Sequence, residues 1–154
     1  MTGSMVLDEN FKTFIRLLNE KNVEYLVIGG YAVAFHGYPR YTKDLDFWVY
    51  AQPDNADKLI SAIAEFGLGS IGLKKEDLLD KDNVIQLGYE PNRIDLIIDL
   101  EGLDFNASYA QRVEALFEGL RVPFIHLDDL LKNKLSTGRM KDKLDAKMLR
   151  KKKR

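Results

Sequence analysis

Tyr25-Leu26-Val27-Ile28-Gly29-Gly30, followed after a short span by Asp44-Leu45-Asp46-Phe47-Trp48-Val49, is the part of this chain whose reading decides its fold. The run from Tyr25 to Ile28 is continuously apolar and reads as a buried strand. The glycine pair then opens a short helical segment, Tyr31 to His36, which Tyr38-Pro39 closes, because a residue before proline avoids the helical region. A turn of this kind suits an anion. Glycine lets a ligand approach the backbone, and the first amides of a helix have no partners within it. Asp44 to Tyr50 forms the second strand. Its period of two sends Asp44 and Asp46 to one face and Leu45 and Phe47 to the other, and adjacent like charges resist each other unless a cation lies between them.

Working outward, apolar Phe11, Phe14, Ile15, Leu17 and Leu18 recur at helical spacing from Asp8, a plausible N-cap, to about Asn22. A second packing helix runs from Pro53 through Ala56, Leu59, Ile60, Ile63 and Phe66 to a stop at Gly67. Residues 69–82 have no firm period and read as a loop with one helical turn. Val84 to Tyr89 and Arg93 to Asp99 read as two strands around Glu90-Pro91-Asn92. Beyond them lie a short helix from Phe105 to Gln111 and two short strands, Val113 to Phe117 and Leu120 to Ile125, around Gly119. A helix from Leu127 to Leu135 is broken by Gly138. A last helix starts near Arg139, with Met140, Leu144, Met148 and Leu149 at helical spacing. The expected class is α+β, close to α/β, with a mixed sheet of about four to five strands and helices packed on it. The whole of 1–154 reads as a single domain, with Met1 to Ser4 as a cloning scar and 150–154 as a basic tail.

Composition narrows the function classes. With 45% hydrophobic and 31% charged residues the chain resembles an ordinary soluble protein, and no apolar run approaches the ~20 residues needed to cross a bilayer, so no membrane partner is expected. No basic region followed by an apolar stretch marks the N-terminus for secretion, and a cytoplasmic location is expected. Cysteine is absent, which removes disulfides, thiol nucleophiles and thiolate metal sites. From Lys132 to Arg154 there are 11 Lys and Arg against two acids, a balance of +9 that leaves −10 for the rest of the chain. That basic end is either a solvated helix face or a surface for polyphosphate or nucleic acid.

Asp95 is a lone carboxylate inside the apolar run Ile94-Asp95-Leu96-Ile97-Ile98, where an unpaired charge would cost roughly several kcal/mol. It needs either a basic partner, Arg93 or Arg40, or a metal. If its strand lies beside that of Asp44 and Asp46, three carboxylates converge on one face, an arrangement suited to Mg²⁺ or Mn²⁺. Oxygen ligands disfavour zinc, and neither of the two histidines sits in a metal-ligand spacing. Arg40 and Thr42 either orient Asp44 or contact a nucleotide. His36 and His126 read as packing or capping residues, and Trp48 as core or as a cover for the site. Asp142 and Asp145 are expected to pair with neighbours such as Lys141 or Arg139, at low energetic value if exposed.

The order Gly29-Gly30, then Arg40-x-Thr42-x-Asp44-x-Asp46-Phe47, then Asp95 on a later strand resembles the nucleotidyltransferase superfamily of the polymerase-beta type. Together with the later block Lys134-x-x-x-Gly138-Arg139-x-x-Asp142-x-x-Asp145, it is similar to the AbiEii-type branch and its small bacterial relatives. The resemblance implies metal binding by Asp44 and Asp46, with Asp95 as a third ligand or as the base for an acceptor hydroxyl. It implies a nucleoside triphosphate donor held by Gly29 and Gly30, with Arg40, Thr42, Lys134 and Arg139 also at the nucleotide. The acceptor would be RNA, protein or a small molecule. A role in a toxin and antitoxin pair, with an antitoxin or other helical partner protein, belongs to the same expectation. A different class also fits, a non-catalytic module with a transferase-like fold that grips nucleotide or RNA through its basic C-terminal helix.

Overall fold

A computed structural model describes residues 7–39 and 41–152 of the chain. Helix α1 (Glu9–Glu20) starts at Asp8, whose side chain accepts from the Asn10 amide, and it buries Phe11, Phe14, Ile15 and Leu18. Strand β1 (Tyr25–Ile28) is buried along its length and runs directly into α2 (Gly29–Phe35), so the helix begins at the glycines themselves. Strand β2 (Asp44–Val49) follows, then α3 (Pro53–Ile63), with proline in its first turn, where its missing N–H costs nothing. A wider helical turn, Ala64–Leu68, ends the segment at Gly67, whose φ of 104° no continuing helix allows. The span after it contains two short tight turns, Gly69–Ile71 and Lys75–Leu78, where one was expected.

Strands β3 (Val84–Leu87) and β4 (Arg93–Ile97) form the expected hairpin. Helix α4 (Phe105–Ala110) leads to β5 (Val113–Phe117) and β6 (Leu120–Phe124), and α5 (Leu127–Ser136) and α6 (Met140–Lys152) complete the described chain. The sheet has six strands in the order β3-β4-β2-β1-β6-β5, more than the four to five expected. The extra width comes from β5 and β6. Glu118 and Gly119, at φ 54° and 82°, make a tight two-residue turn with both central residues left-handed, and this hairpin extends the sheet through β6, parallel to β1. Pairing of β2 with β4 is also parallel, so the sheet is mixed.

The two faces of β2 have different uses. Leu45, Phe47 and Val49 face α1, where the Phe14 and Phe47 rings lie 5.6 Å apart and the Tyr25 ring meets Phe47 at 5.3 Å. Fully burying each such aromatic contributes about 1.5–3 kcal/mol. On the other face Trp48 lies against Phe105 of α4, at 5.2 Å, and its indole N–H donates to the Ile98 carbonyl, which makes it a core residue. Asp44 and Asp46 share that face, at the end of the strand where β1 turns into α2. Helix α6 departs from its sequence pattern. Met140 and Leu144 are exposed, while Asp142, Asp145, Ala146 and Leu149 point inward. Among the described residues no helix is long and apolar enough to cross a membrane.

Asn55 ties three elements together. Its Oδ1 accepts from the Glu24 amide at 2.7 Å, and its Nδ2 donates to the Glu24 and Tyr50 carbonyls, both at 3.0 Å, fixing α3 to the start of β1 and the end of β2. Removal of the side chain strands buried backbone groups. Asn55→Ala is expected to cost about 2–3 kcal/mol of stability in urea denaturation, whereas a loss under 1 kcal/mol, roughly, would mean that water replaces the amide.

Candidate functional site

Parallel pairing of β2 with β4 sets Asp44 opposite Arg93 and Asp46 opposite Asp95, so four charged side chains stand on one face of two central strands. Antiparallel pairing of β2 with β1 sets Asp46 opposite Ile28, beside the glycine turn. The turn and the carboxylate touch. Gly29 has φ 68°, and a Cβ added to it would lie 2.0 Å from Asp46 Oδ2; one added to Gly30 would lie 2.9 Å from Thr42 Oγ1. The glycines are therefore required by the packing of Asp46 and Thr42 alone. Thr42 Oγ1 donates to the Asp44 carbonyl, which supports the reading of Thr42 as orienting that segment. Arg40 lies outside the described residues.

Asp95 is buried, 8% exposed, and both of its oxygens accept from Arg93, at 2.9 Å from Nε and 3.1 Å from Nη2. The same Nη2 donates to Asp44 Oδ2 at 2.8 Å. Asp44 Oδ1 is buried and has no hydrogen-bond partner among the described residues. Burial above all, then the negative charges of Asp95 and Asp44 and a hydrogen bond with Asp95, push the Asp46 carboxyl up to about 7, against a smaller opposing pull from Arg93. Asp44 is also raised by desolvation, with Arg93 opposing and Asp95 adding to the shift.

This donor set fits a hard divalent cation. Its ligand atoms are carboxylate oxygens, one of them is an orphan, and three carboxylates outnumber the single guanidinium. The residues that fit are Asp44 and Asp46. Among the described residues no three His, Cys, Asp or Glu side chains are placed to share one metal ion, since Arg93 occupies both oxygens of Asp95.

The facing wall is the corner between α5 and α6, where Gly138, at φ 73°, makes the turn. Lys134 is 8% exposed and its Nζ stands 3.1 Å from both Asp142 Oδ1 and Asp145 Oδ2. Thr137 Oγ1 and Arg139 Nε bind the other Asp142 oxygen at 2.6 and 2.7 Å, with most of the Arg139 side chain in solvent. Burial would raise the Asp142 carboxyl, but hydrogen bonds from Thr137, Lys134 and Arg139 outweigh it and hold the group below its usual range. Arg139 pairs with Asp142 as expected, but the exposure that would make such pairs weak is not met. Asp142 and Asp145 are 3% and 2% exposed, and Lys134 is buried between them.

Between the walls lies a cleft of about 250 Å³. Gly29, Gly30 and Asp46 line one side, and Lys134, Arg139 and Lys141 the other. Lys141 and Asn133, which also lines the cleft, were not singled out as site residues from the sequence. The repeat of the α6 helix offered one signal for Lys141, which sits beside Asp142 at the start of that helix. His36 hydrogen-bonds the Ile125 carbonyl, and burial lowers its pKa; His126 caps α5 through the Asp128 amide. Both histidines keep to packing and capping.

Residues 5–150 match a family described as "Nucleotidyltransferase of unknown function (DUF6036)". No curated protein matches the chain in sequence. Among solved structures the chain is similar to a Thermotoga maritima protein assigned to the nucleotidyltransferases, at 18% identity and TM-score 0.58, covering 92% of this chain and 88% of that one. It is also similar to an antigenic nucleotidyltransferase-like protein from Paracoccidioides brasiliensis, at 15% identity and TM-score 0.54, covering 92% of this chain and 72% of that one. At these identities the likeness is one of fold: an α+β architecture with a mixed sheet.

Two outcomes are expected from these charges. The folded Asp46 stands above its usual value of 3.8, so its contribution to stability is full below pH 3.8 and is lost as the pH rises toward about 7. Asp46→Asn cannot ionise, so without metal it should flatten that fall and, above the window, exceed the wild type in urea midpoint; a lower midpoint there would contradict the burial assigned to Asp46. Lys134→Met leaves two buried carboxylates without their shared cation. It should lose about 3–5 kcal/mol, and a loss within 1 kcal/mol or so would show those carboxylates to be solvated.

Proposed function

Because this chain belongs to the nucleotidyltransferases of unknown function grouped as DUF6036, we propose that it moves a nucleoside monophosphate from a nucleoside triphosphate to a hydroxyl of RNA, protein or a small molecule. The observation that carries the reading is the cleft itself, with Asp46 and the glycine turn on one wall and cations on the other, while Asp44 and Asp95 stand beside Asp46 outside its lining. A polyphosphate is an anion that needs cations on every side. Lys134, held in place by Asp142 and Asp145, and the exposed Arg139 and Lys141 would supply fixed positive charge to it. The amides at the start of α2 would add donors beside Gly29 and Gly30. Arg40 and Thr42 complete the proposed nucleotide contacts.

Asp44 and Asp46 would hold Mg²⁺ or Mn²⁺, whose chemistry here is to polarise phosphoryl oxygens and offset the charge that develops on them. In the transfer the acceptor oxygen bonds to the α-phosphorus as the bond to the pyrophosphate oxygen breaks. Asp95, both of whose oxygens accept from Arg93, would hold that guanidinium at the cluster in place of serving as the third ligand or base that the resemblance implies. The remaining protein contribution is positioning in a partly closed cleft, where fixed charges act more strongly than in water. The likeness of the Lys134 to Asp145 block to AbiEii-type enzymes supports a place in a toxin and antitoxin pair, with a partner protein that restrains the activity.

A second reading has one observation in its favour: Arg93 already engages Asp44 and Asp95, as it would in a domain that binds nucleotide without turnover. One experiment separates the two. Protein incubated with labelled nucleoside triphosphates, Mg²⁺ and a mixture of RNA and cell protein should transfer label. Asp44→Asn combined with Asp46→Asn should lower transfer at least about a hundredfold, as should chelation of the metal. Transfer unchanged in that variant overturns the proposal, and nucleotide binding that ignores Mg²⁺, without transfer, favours the binding module.

A further inference from the structure

Arg93 is the internal cation of the carboxylate cluster, and its position bears on how many metal ions the cluster can take. It lies two residues before Asp95 on β4, so both side chains share a face, and it stands in register with Asp44 across the pair of strands. Its side chain is three-quarters buried, and the guanidinium makes contacts with Asp95 at 2.9 and 3.1 Å, Asp44 at 2.8 Å and Glu90 at 3.5 Å. A planar fork held on several sides is not a passing contact. It leaves Asp95 with both oxygens engaged, and among the described residues it leaves Asp44 Oδ1 without a partner, on a carboxylate that shares its strand face with Asp46. Counting charge gives the same division. With Glu90, which also meets the guanidinium, four carboxylates and one guanidinium among the described residues carry an excess of three negative charges; one divalent cation leaves the cluster negative, and a second would leave it positive unless a bound polyanion came with it.

We propose that Arg93 stands in for a second metal ion, so that the free protein takes one divalent cation, at Asp44 and Asp46, with Asp95 acting to hold Arg93. The inference rests on the metal reading of the proposed function. Arg93 is a positioning residue in this scheme, acting on the metal count through Asp44 and Asp95. Any further ion would arrive only as part of a metal-bound nucleotide, which brings its own negative charge.

The test is a Mn²⁺ titration of the full chain without nucleotide, following free Mn²⁺ by electron paramagnetic resonance, a readout independent of catalysis. The wild type should bind one Mn²⁺ per chain. Arg93→Gln, which keeps a polar side chain of similar reach and removes the charge, should bind two, with the first roughly tenfold tighter. Arg93→Lys, which restores the charge, should return the count to one. Two ions on the wild type, or one on Arg93→Gln shown folded by its circular dichroism melt, would overturn the assignment of Arg93 while leaving the metal reading standing. No Mn²⁺ bound to wild type at millimolar concentration would overturn both. The wild-type count is decisive even if Arg93→Gln does not fold.

Discussion

Asp44, Asp46 and Asp95 stand side by side on two adjacent strands, and among the described residues the charge that opposes their mutual repulsion within hydrogen-bonding reach is Arg93. Much of the local architecture answers that repulsion. Register between β2 and β4 places the guanidinium where it reaches two of the carboxylates at once, and a shift of one residue would send Asp44 and Asp46 to the opposite face, against α1 and the aromatic core. The third carboxylate, Asp46, is left with the least help, and its carboxyl is raised accordingly. Stored electrostatic repulsion at a cleft is a form in which a fold can hold affinity for a cation in reserve, because metal binding relieves it.

The corner of α5 and α6 solves a related problem with its charges in balance. Two buried carboxylates there are matched by Lys134 and by Arg139 at the rim. Buried ion pairs of this kind contribute little net stability compared with apolar packing, but losing one partner is costly. Their value lies in fixed geometry. A lysine free in solvent would sample many rotamers, whereas Lys134 is held by two acceptors beside the cleft, so less conformational freedom remains to be lost when an anion arrives.

Much of this was legible in the chain. The period of two put Asp44 and Asp46 on one face, the lone Asp95 in an apolar run demanded a partner, and Arg93 was one of the partners its sequence offered. The glycine pair was readable as a turn, but its strictest cause was not: the contact of Gly29 with Asp46 exists only once β1 and β2 pair, and local sequence carries no register. The same holds for the bridge from Arg93 to Asp44, residues 49 apart in sequence. Both strands around Gly119 were readable, but sheet width was underestimated because the parallel pairing of β6 with β1, which adds that hairpin to the sheet, joins residues about a hundred apart. Depth was left open at Asp142 and Asp145, since charged residues on a lysine-rich helix carry no sign of burial until the helix is seen to dock on them.

Helix α6 thus sits on the body partly through Asp142 and Asp145, with Ala146 and Leu149 as its buried apolar share and Met140 and Leu144 turned to solvent. Its attachment has a different thermal character from the core beneath the sheet. Hydrophobic packing of the kind made by Phe14, Phe47 and Tyr25 weakens on cooling and carries a large heat-capacity signature, whereas buried polar groups carry a smaller one of opposite sign. As temperature falls, the rear face of the sheet loosens relative to its maximum while the wall holding Lys134 keeps its grip, so the cleft is bounded by two surfaces that respond to cold in different ways.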